Sequence, residues 1–357
     1  MKKTIAIGVL TACAFASIGA RGAKLDVAAD ETVTLTADMS ADDGTVAGTL
    51  VLAEGMTLTL TRNIFAASAT LVLSNATISG FSGTTAVVLT NAVVAAAGTS
   101  NVFANVTDSF SHEGCDVTMS GALTGAGRLL VRSTGRGVIF TGDAKSFTGT
   151  LAFDMSGNYF NGRLAANDLR QATVEVAGGL FPFNCTDAHY GRLVVAPGAT
   201  FRCDRGWDDS NNLHLYGDSV LGGAFEGNAM DVNVHGGATV LFGWERTARV
   251  NIDAGAPTLA GGGTIGQLRT WGNPLKVANA PGETLTIESR AAGDEARCEL
   301  TVTGVAVRPS GQDVLSVDPS RFAVMLAPEL AASGWRLRMR TSGVYNLYRP
   351  GLCLVVR

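Results

Sequence analysis

Between about residues 30 and 100 the apolar positions recur in short alternating bursts, not at a helical interval. Thr49-Leu50-Val51-Leu52, Thr70-Leu71-Val72-Leu73 and Ala86-Val87-Val88-Leu89 are near copies, followed by Glu54-Gly55, Ser74-Asn75 and Thr90-Asn91. Period-two alternation closed by Gly or Asn predicts a strand that buries one face and ends in a turn. Taking Leu35, Leu52, Leu73 and Leu89 as equivalent gives steps of 17, 21 and 16 residues, about one lap of a β-solenoid. The middle of the chain repeats the pattern. Val195-Ala196-Pro197-Gly198-Ala199-Thr200 and Val234-His235-Gly236-Gly237-Ala238-Thr239 are variants of one phrase, with Leu215-Tyr216-Gly217-Asp218-Ser219-Val220 midway between them. Two laps fit that interval. No 3.6-residue period persists long enough to compete, so the expectation is an all-β chain of stacked laps. Between about residues 155 and 175 Asn-rich stretches and Leu169-Arg170 break the rhythm, and an insertion is expected there.

Two segments carry a family resemblance. Ser120-Gly121-Ala122-Leu123-Thr124-Gly125-Ala126-Gly127-Arg128-Leu129, followed by Phe140-Thr141-Gly142-Asp143-Ala144-Lys145-Ser146-Phe147-Thr148-Gly149-Thr150-Leu151, resembles the autotransporter-associated β-strand repeat of bacterial surface proteins. Thr258-Leu259-Ala260-Gly261-Gly262-Gly263-Thr264-Ile265-Gly266 and Ala280-Pro281-Gly282-Glu283-Thr284-Leu285-Thr286-Ile287 are similar to the phrases that close such passengers. The resemblance covers a minor part of the chain. It implies a right-handed parallel β-helix displayed outside the cell, with adhesion or matrix roles common and catalysis occasional. About 60 residues follow Cys298, too few for the strands of a membrane barrel. The expectation is a passenger-like body without a translocator barrel.

Composition agrees with that class. The 357 residues include 44 glycines, 16% charged and 7% aromatic residues, which is turn-rich and β-prone. Residues 1–23 read as a secretory signal peptide: Met1-Lys2-Lys3 is basic, Thr4 to Ile18 is mostly apolar and too short to span a bilayer, and small residues follow. Leu10-Thr11-Ala12-Cys13 offers lipoprotein anchoring at Cys13 as the lesser alternative. A secreted or cell-surface location follows, with no membrane span after signal cleavage. Losing Lys2, Lys3 and Arg21 with residues 1–23 leaves 24 basic residues (27 less three) against 31 acidic, a balance that disfavours nucleic acid and anionic membranes as partners. Five cysteines remain, Cys115, Cys185, Cys203, Cys298 and Cys353, an odd number that leaves at least one free or linked between molecules. Cys185 and Cys203 stand about one lap apart, so a disulfide between adjacent laps competes with two small residues filling the interior.

Residues 24–298 are assigned to the parallel β-helix and 299–357 to a small β cap. Trp335-Arg336-Leu337-Arg338-Met339-Arg340, the turn Thr341-Ser342-Gly343 and Val344-Tyr345-Asn346-Leu347-Tyr348 read as a hairpin with one dry face, closing an open stack end that would otherwise invite edge pairing. Its arginine stripe is a solvated face or a docking face.

Chemical motifs are sparse. The chain lacks Cys-x-x-Cys, His-Glu-x-x-His, Gly-x-Ser-x-Gly and a Walker-type lysine loop. Gly261-x-Gly263-x-x-Gly266 is not followed by a helix start, so it reads as a chance dinucleotide fingerprint. Asp38, Asp42 and Asp43 before Gly44 read as a solvated turn more than a calcium loop. No catalytic residue, metal site or cofactor is assigned. The best constellation combines Asp204, Trp207, Asp208 and Asp209 with His214, His235 and Trp244, flanked by Asp187, His189, Asp218, Asp231, Glu245 and Arg246. Carboxylates beside an aromatic platform suit sugar binding or glycoside cleavage. Two functions are carried forward: a structural or adhesion-type solenoid meeting an extracellular glycan or a matrix or surface protein, and a polysaccharide-binding or polysaccharide-cleaving lyase or hydrolase.

Overall fold

The alternating bursts become strands that stack in parallel, lap upon lap. The computed structural model describes residues 4–5, 22–80, 87–105, 117–133, 138–155, 163–164, 168–183, 187–203, 211–222, 224–226, 230–242, 247–252, 255–279, 282–290, 298–303, 311–340 and 343–350. The chain divides into two compact units, Met1–Cys185 and Thr186–Arg357. Among the described residues no helix is long and apolar enough to cross a membrane.

In the first unit three parallel ladders form. Thr32–Leu35, Thr49–Leu52, Thr70–Leu73, Ala92–Ala95 and Leu123–Gly125 stack in register, and Thr4–Ile5 pairs with Thr32–Val33. A second ladder runs from Ala23–Val27 through Met39–Val46, Thr57–Leu60, Thr77–Gly80, Ser100–Asn105, Arg128–Ser133 and Thr150–Met155 to Asp168–Phe183. The third joins Val87–Leu89, Val117–Met119, Val138–Phe140 and Arg163–Leu164. Alternate residues of each strand point inward. Leu50, Leu71, Val93 and Leu123 therefore make one buried column, and Leu52, Leu73 and Ala95 another. Burying a side chain of this size contributes about 1.5 to 3 kcal/mol, so the columns are the main source of cohesion between laps.

Two side-chain devices tie the laps together at their corners. Asn101 is fully buried: its Oδ1 accepts from the Ala76 amide at 3.1 Å, and its Nδ2 donates to Thr99 Oγ1 at 2.8 Å and to the Arg128 carbonyl at 3.2 Å. One amide thus satisfies backbone groups of the laps on both sides, where a bare corner would leave them orphaned. Asn75, held at φ 52, accepts from the Ser100 amide at 2.7 Å. The glycines of the Thr-Gly and Phe-Thr-Gly phrases serve close approach. A Cβ on Gly142 would lie 1.8 Å from the carbonyl oxygen of Gly121 in the lap before it.

The expected register holds for two steps and fails at the third. Leu35 pairs with Leu52 and Leu52 with Leu73, but Leu73 then meets Ala95. Leu89 belongs to the separate column Leu89, Met119 and Phe140. Both Ala95 and Leu89 are buried, so alternation marks each as inward without saying which strand continues which column. The region of the expected insertion contains the strand Asp168–Phe183, with Leu169 buried and one irregularity after Phe153. The longest step of the second ladder is instead from Ser100 to Arg128. Asp42 and Asp43 lie in the strand Met39–Val46, not in a turn. Asp42 is the extra residue at a shift in register, and Asp43 is bonded to Arg62.

In the second unit the inward column Ala188, Leu213, Val232, Val250 and Leu268 runs beside Tyr190, Leu215, Val234 and Ile252. Leu215 and Val234 are one lap apart as expected, but Val195 pairs with Leu221, and Tyr190 takes the expected place of Val195. The glycine run is strand, corner and strand, Thr258–Gly261 then Gly263–Arg269, which leaves the dinucleotide fingerprint without a helix. Parallel stacking continues beyond residue 298. Leu285–Arg290 carries Gln312–Ser316, and Cys298–Val302 carries Phe322–Leu326. Cys298 is buried. The Cys185–Cys203 pairing lies outside the described residues, because Cys185 is not among them.

A short helix, Pro328–Ala332, precedes the cap. Arg336–Met339 and Val344–Tyr348 form an antiparallel hairpin, and Val344–Tyr348 also pairs antiparallel with Gln312–Ser316. The change from parallel to antiparallel pairing closes that edge with the chain's own end. Leu347 supplies the dry face, whereas Met339, expected to be buried, is 54% exposed. Arg338 lies over the Tyr348 ring at 4.6 Å and Arg340 reaches Asp313 at 3.4 Å.

Candidate functional site

Stacking in register converts sequence positions one lap apart into neighbours about 4.8 Å apart. On the second unit this builds three outward columns. The first contains Asn212, Asp231, Arg249, Gln267 and Ser289; the second contains His189, His214, Asn233, Asn251 and Arg269. The third lies two residues further along each strand, where the laps turn, and includes Tyr216, His235 and Trp271.

The upper part is a block of four rings. His189 and His214 stack with centroids 4.5 Å apart and planes at 17°, and Tyr216 and His235 stack at 4.4 Å and 7°. The two stacks are tied edge to edge. His189 Nδ1 is 2.8 Å from Tyr216 Oη, and His214 Nδ1 is 2.7 Å from His235 Nε2. Three of the four histidines of the chain stand here. His189 Nδ1, His214 Nδ1 and His235 Nε2 are engaged within this block, and among the described residues no group of three His, Cys, Asp or Glu side chains is arranged to hold a metal ion.

Below the rings the columns become amides and charges. Asn251 Nδ2 donates to Asn233 Oδ1 at 2.8 Å and to Asp231 Oδ2 at 3.3 Å. Arg249 donates from Nη1 to Asp231 at 3.0 Å and from Nε to Gln267 Oε1 at 3.3 Å. Asn233 and Asn251 are buried although they point away from the apolar columns, because each is covered by the next lap. The last step places the Arg269 guanidinium over the Trp271 ring at 4.8 Å. Trp271 is 59% exposed and sits at φ 50 in the turn Thr270 to Asn273, closed by a 2.8 Å bond from the Asn273 amide to the Thr270 carbonyl.

Of the residues chosen from sequence, His214 and His235 are brought into direct contact. Asp204, Trp207, Asp208, Asp209 and Trp244 lie outside the described residues, as do Glu245 and Arg246. Asp187 begins the strand that carries His189. Asp218 is a corner residue, its Oδ1 accepting from the Thr239 amide at 2.7 Å. Tyr216, Asn233, Asn251, Arg269 and Trp271 were missed. A usable signal was present: Tyr216-Gly217, His235-Gly236 and Trp271-Gly272 each set an aromatic ring directly before a corner glycine.

The histidine contact makes a pH prediction. A short N–H···N bond needs one ring nitrogen with a lone pair, and two imidazolium rings have none and repel. The bond is therefore lost once acid puts a proton on both rings. Nitrogen-15 NMR of the imidazoles is expected to show the bond at about pH 8 and not at about pH 4; an unchanged coupling in acid refutes this account.

Compared with known proteins, the chain matches no family model, no curated protein and no solved structure.

Proposed function

We propose that this chain is an exported, non-enzymatic β-solenoid with a structural or adhesion-type role, secreted or displayed at the cell surface, whose outward columns hold an extracellular glycan or a matrix or surface protein. The observation that carries the reading is the outward face of the second unit, where rings, amides and charges are held in file by backbone register. Such a face offers many individually weak contacts at fixed spacing, which gain strength together on an extended partner. The leader-like first residues and the resemblance to autotransporter passengers support the same reading. Hydrolysis of a glycosidic bond ordinarily uses two carboxyl groups flanking that bond, one of them protonated. Asp231 on this face is instead held by Arg249 and Asn251.

The test is binding of the chain lacking residues 1–23 to glycan and matrix-protein arrays, with reducing-sugar release measured on every polysaccharide bound. Retention without release is expected. No retention on either array overturns the proposal. Release that is lost in Asp208→Ala or Asp209→Ala moves the chain into the cleaving class.

A further inference from the structure

We propose that Trp271 and Arg269 form a ledge for a carboxylate-bearing polysaccharide laid along the third outward column. This deepens the proposed function and rests on it. Trp271 occupies its position at a cost. A bulky residue in the left-handed region is disfavoured where Gly or Asn would fit, and its ring is left 59% exposed. Strain held at an exposed aromatic is what a binding surface retains and a purely structural turn does not need. The approach is open, since a Cβ added at the neighbouring Gly272 would meet no atom within 4 Å.

Arg269 settles the charge of the ligand. Its guanidinium lies against the indole and has no carboxylate partner among the described residues, in contrast to Arg249, which is bonded to Asp231. Between Asp253 and Glu283 the sequence carries Arg269 and Lys276 and no acidic residue, in a chain with 31 of them. A guanidinium presents paired donors matched to a carboxylate, and the free face of an indole receives the apolar face of a sugar ring. A polymer is favoured over a single sugar because further rings stand in the same file. Tyr216, 36% exposed, and His235 precede corner glycines on adjacent laps, and Trp271 stands two laps on from His235. A chain running across the laps meets these rings at intervals, so weak contacts add.

The experiment measures binding of the chain without residues 1–23 to polygalacturonate, alginate and hyaluronate, with fully methyl-esterified polygalacturonate and polyglutamate as controls. At least one uronate polymer is expected to bind, the neutral ester to bind at least about tenfold more weakly, and Trp271→Asn and Arg269→Gln each to weaken uronate binding at least about tenfold. Asn suits the left-handed turn, so Trp271→Asn should melt at the same temperature as the parent or higher, which separates loss of the ledge from loss of the fold. Unchanged binding by Trp271→Asn, equal binding of the neutral ester, or equal binding of polyglutamate overturns the ledge. Failure to bind any uronate while another array ligand is held overturns it too, yet leaves the proposed function standing; failure to bind anything removes both.

Discussion

Gly125→Ala is expected to cost the first unit about 3 kcal/mol or more, lowering the midpoint of its urea transition. Gly125 has φ +99, and a Cβ there would lie 2.0 Å from the Ala95 carbonyl oxygen of the previous lap. The left-handed conformation accounts for about 1 to 2 kcal/mol of the effect. The remainder comes from pushing two laps apart where that carbonyl accepts from the Ala126 and Gly127 amides at 3.2 and 3.1 Å, and where the Gly125 carbonyl accepts from Thr148 at 3.0 Å. Gly55→Ala is the matched control. It shares a positive φ, +77, but an added Cβ meets nothing within 4 Å, so it should cost about 1 kcal/mol. Equal losses for the two variants would show that lap contact contributes nothing at Gly125.

Phe153→Ala is expected to cost about 3 to 5 kcal/mol. The ring is fully buried and is in register with Val131 in the lap before and Val176 in the lap after. Those neighbours belong to stacked backbones that cannot close in without breaking their own ladder bonds, so the vacated volume stays as a cavity. In a stack, each lap is supported mainly by its neighbours. The damage should therefore be local, with amide exchange accelerating first in Arg128–Ser133 and Thr150–Met155. Val88→Ala, at a residue 47% exposed, should change stability by less than about 0.5 kcal/mol. Uniform acceleration of exchange across the unit in Phe153→Ala would contradict a lap-by-lap account.

The same physics explains which parts of the structure were legible beforehand. Thr49-Leu50-Val51-Leu52 declares its buried face because a strand alternates sides at every residue, and the Gly and Asn after each burst declare the corners. The steps Leu35 to Leu52 to Leu73 followed from that. The next step did not, because Leu89 and Ala95 satisfy the alternation equally and only the stack selects Ala95. Size misled here: leucine resembles leucine in a sequence, whereas a column accepts alanine wherever the neighbouring strand fills the space. The same holds for Val195, whose place above Leu215 is taken by Tyr190.

The candidate site shows the sharper limit. The chain alone announces an all-β body of repeating laps, its corner residues, the closing hairpin and a supply of His, Asn and aromatic side chains. Each follows from periods of two residues and about twenty residues that can be read along one dimension. Lateral neighbours were decided by the fold: His189 on His214, Asn251 on Asn233, and Arg269 over Trp271. Lap length varies along the stack, since Asn233 pairs with Asn251, Thr57 with Thr77 and Ser100 with Arg128, so no constant offset predicts which side chains meet. Contact across laps depends on the accumulated register of every corner before it, a quantity that exists only once the backbone has stacked.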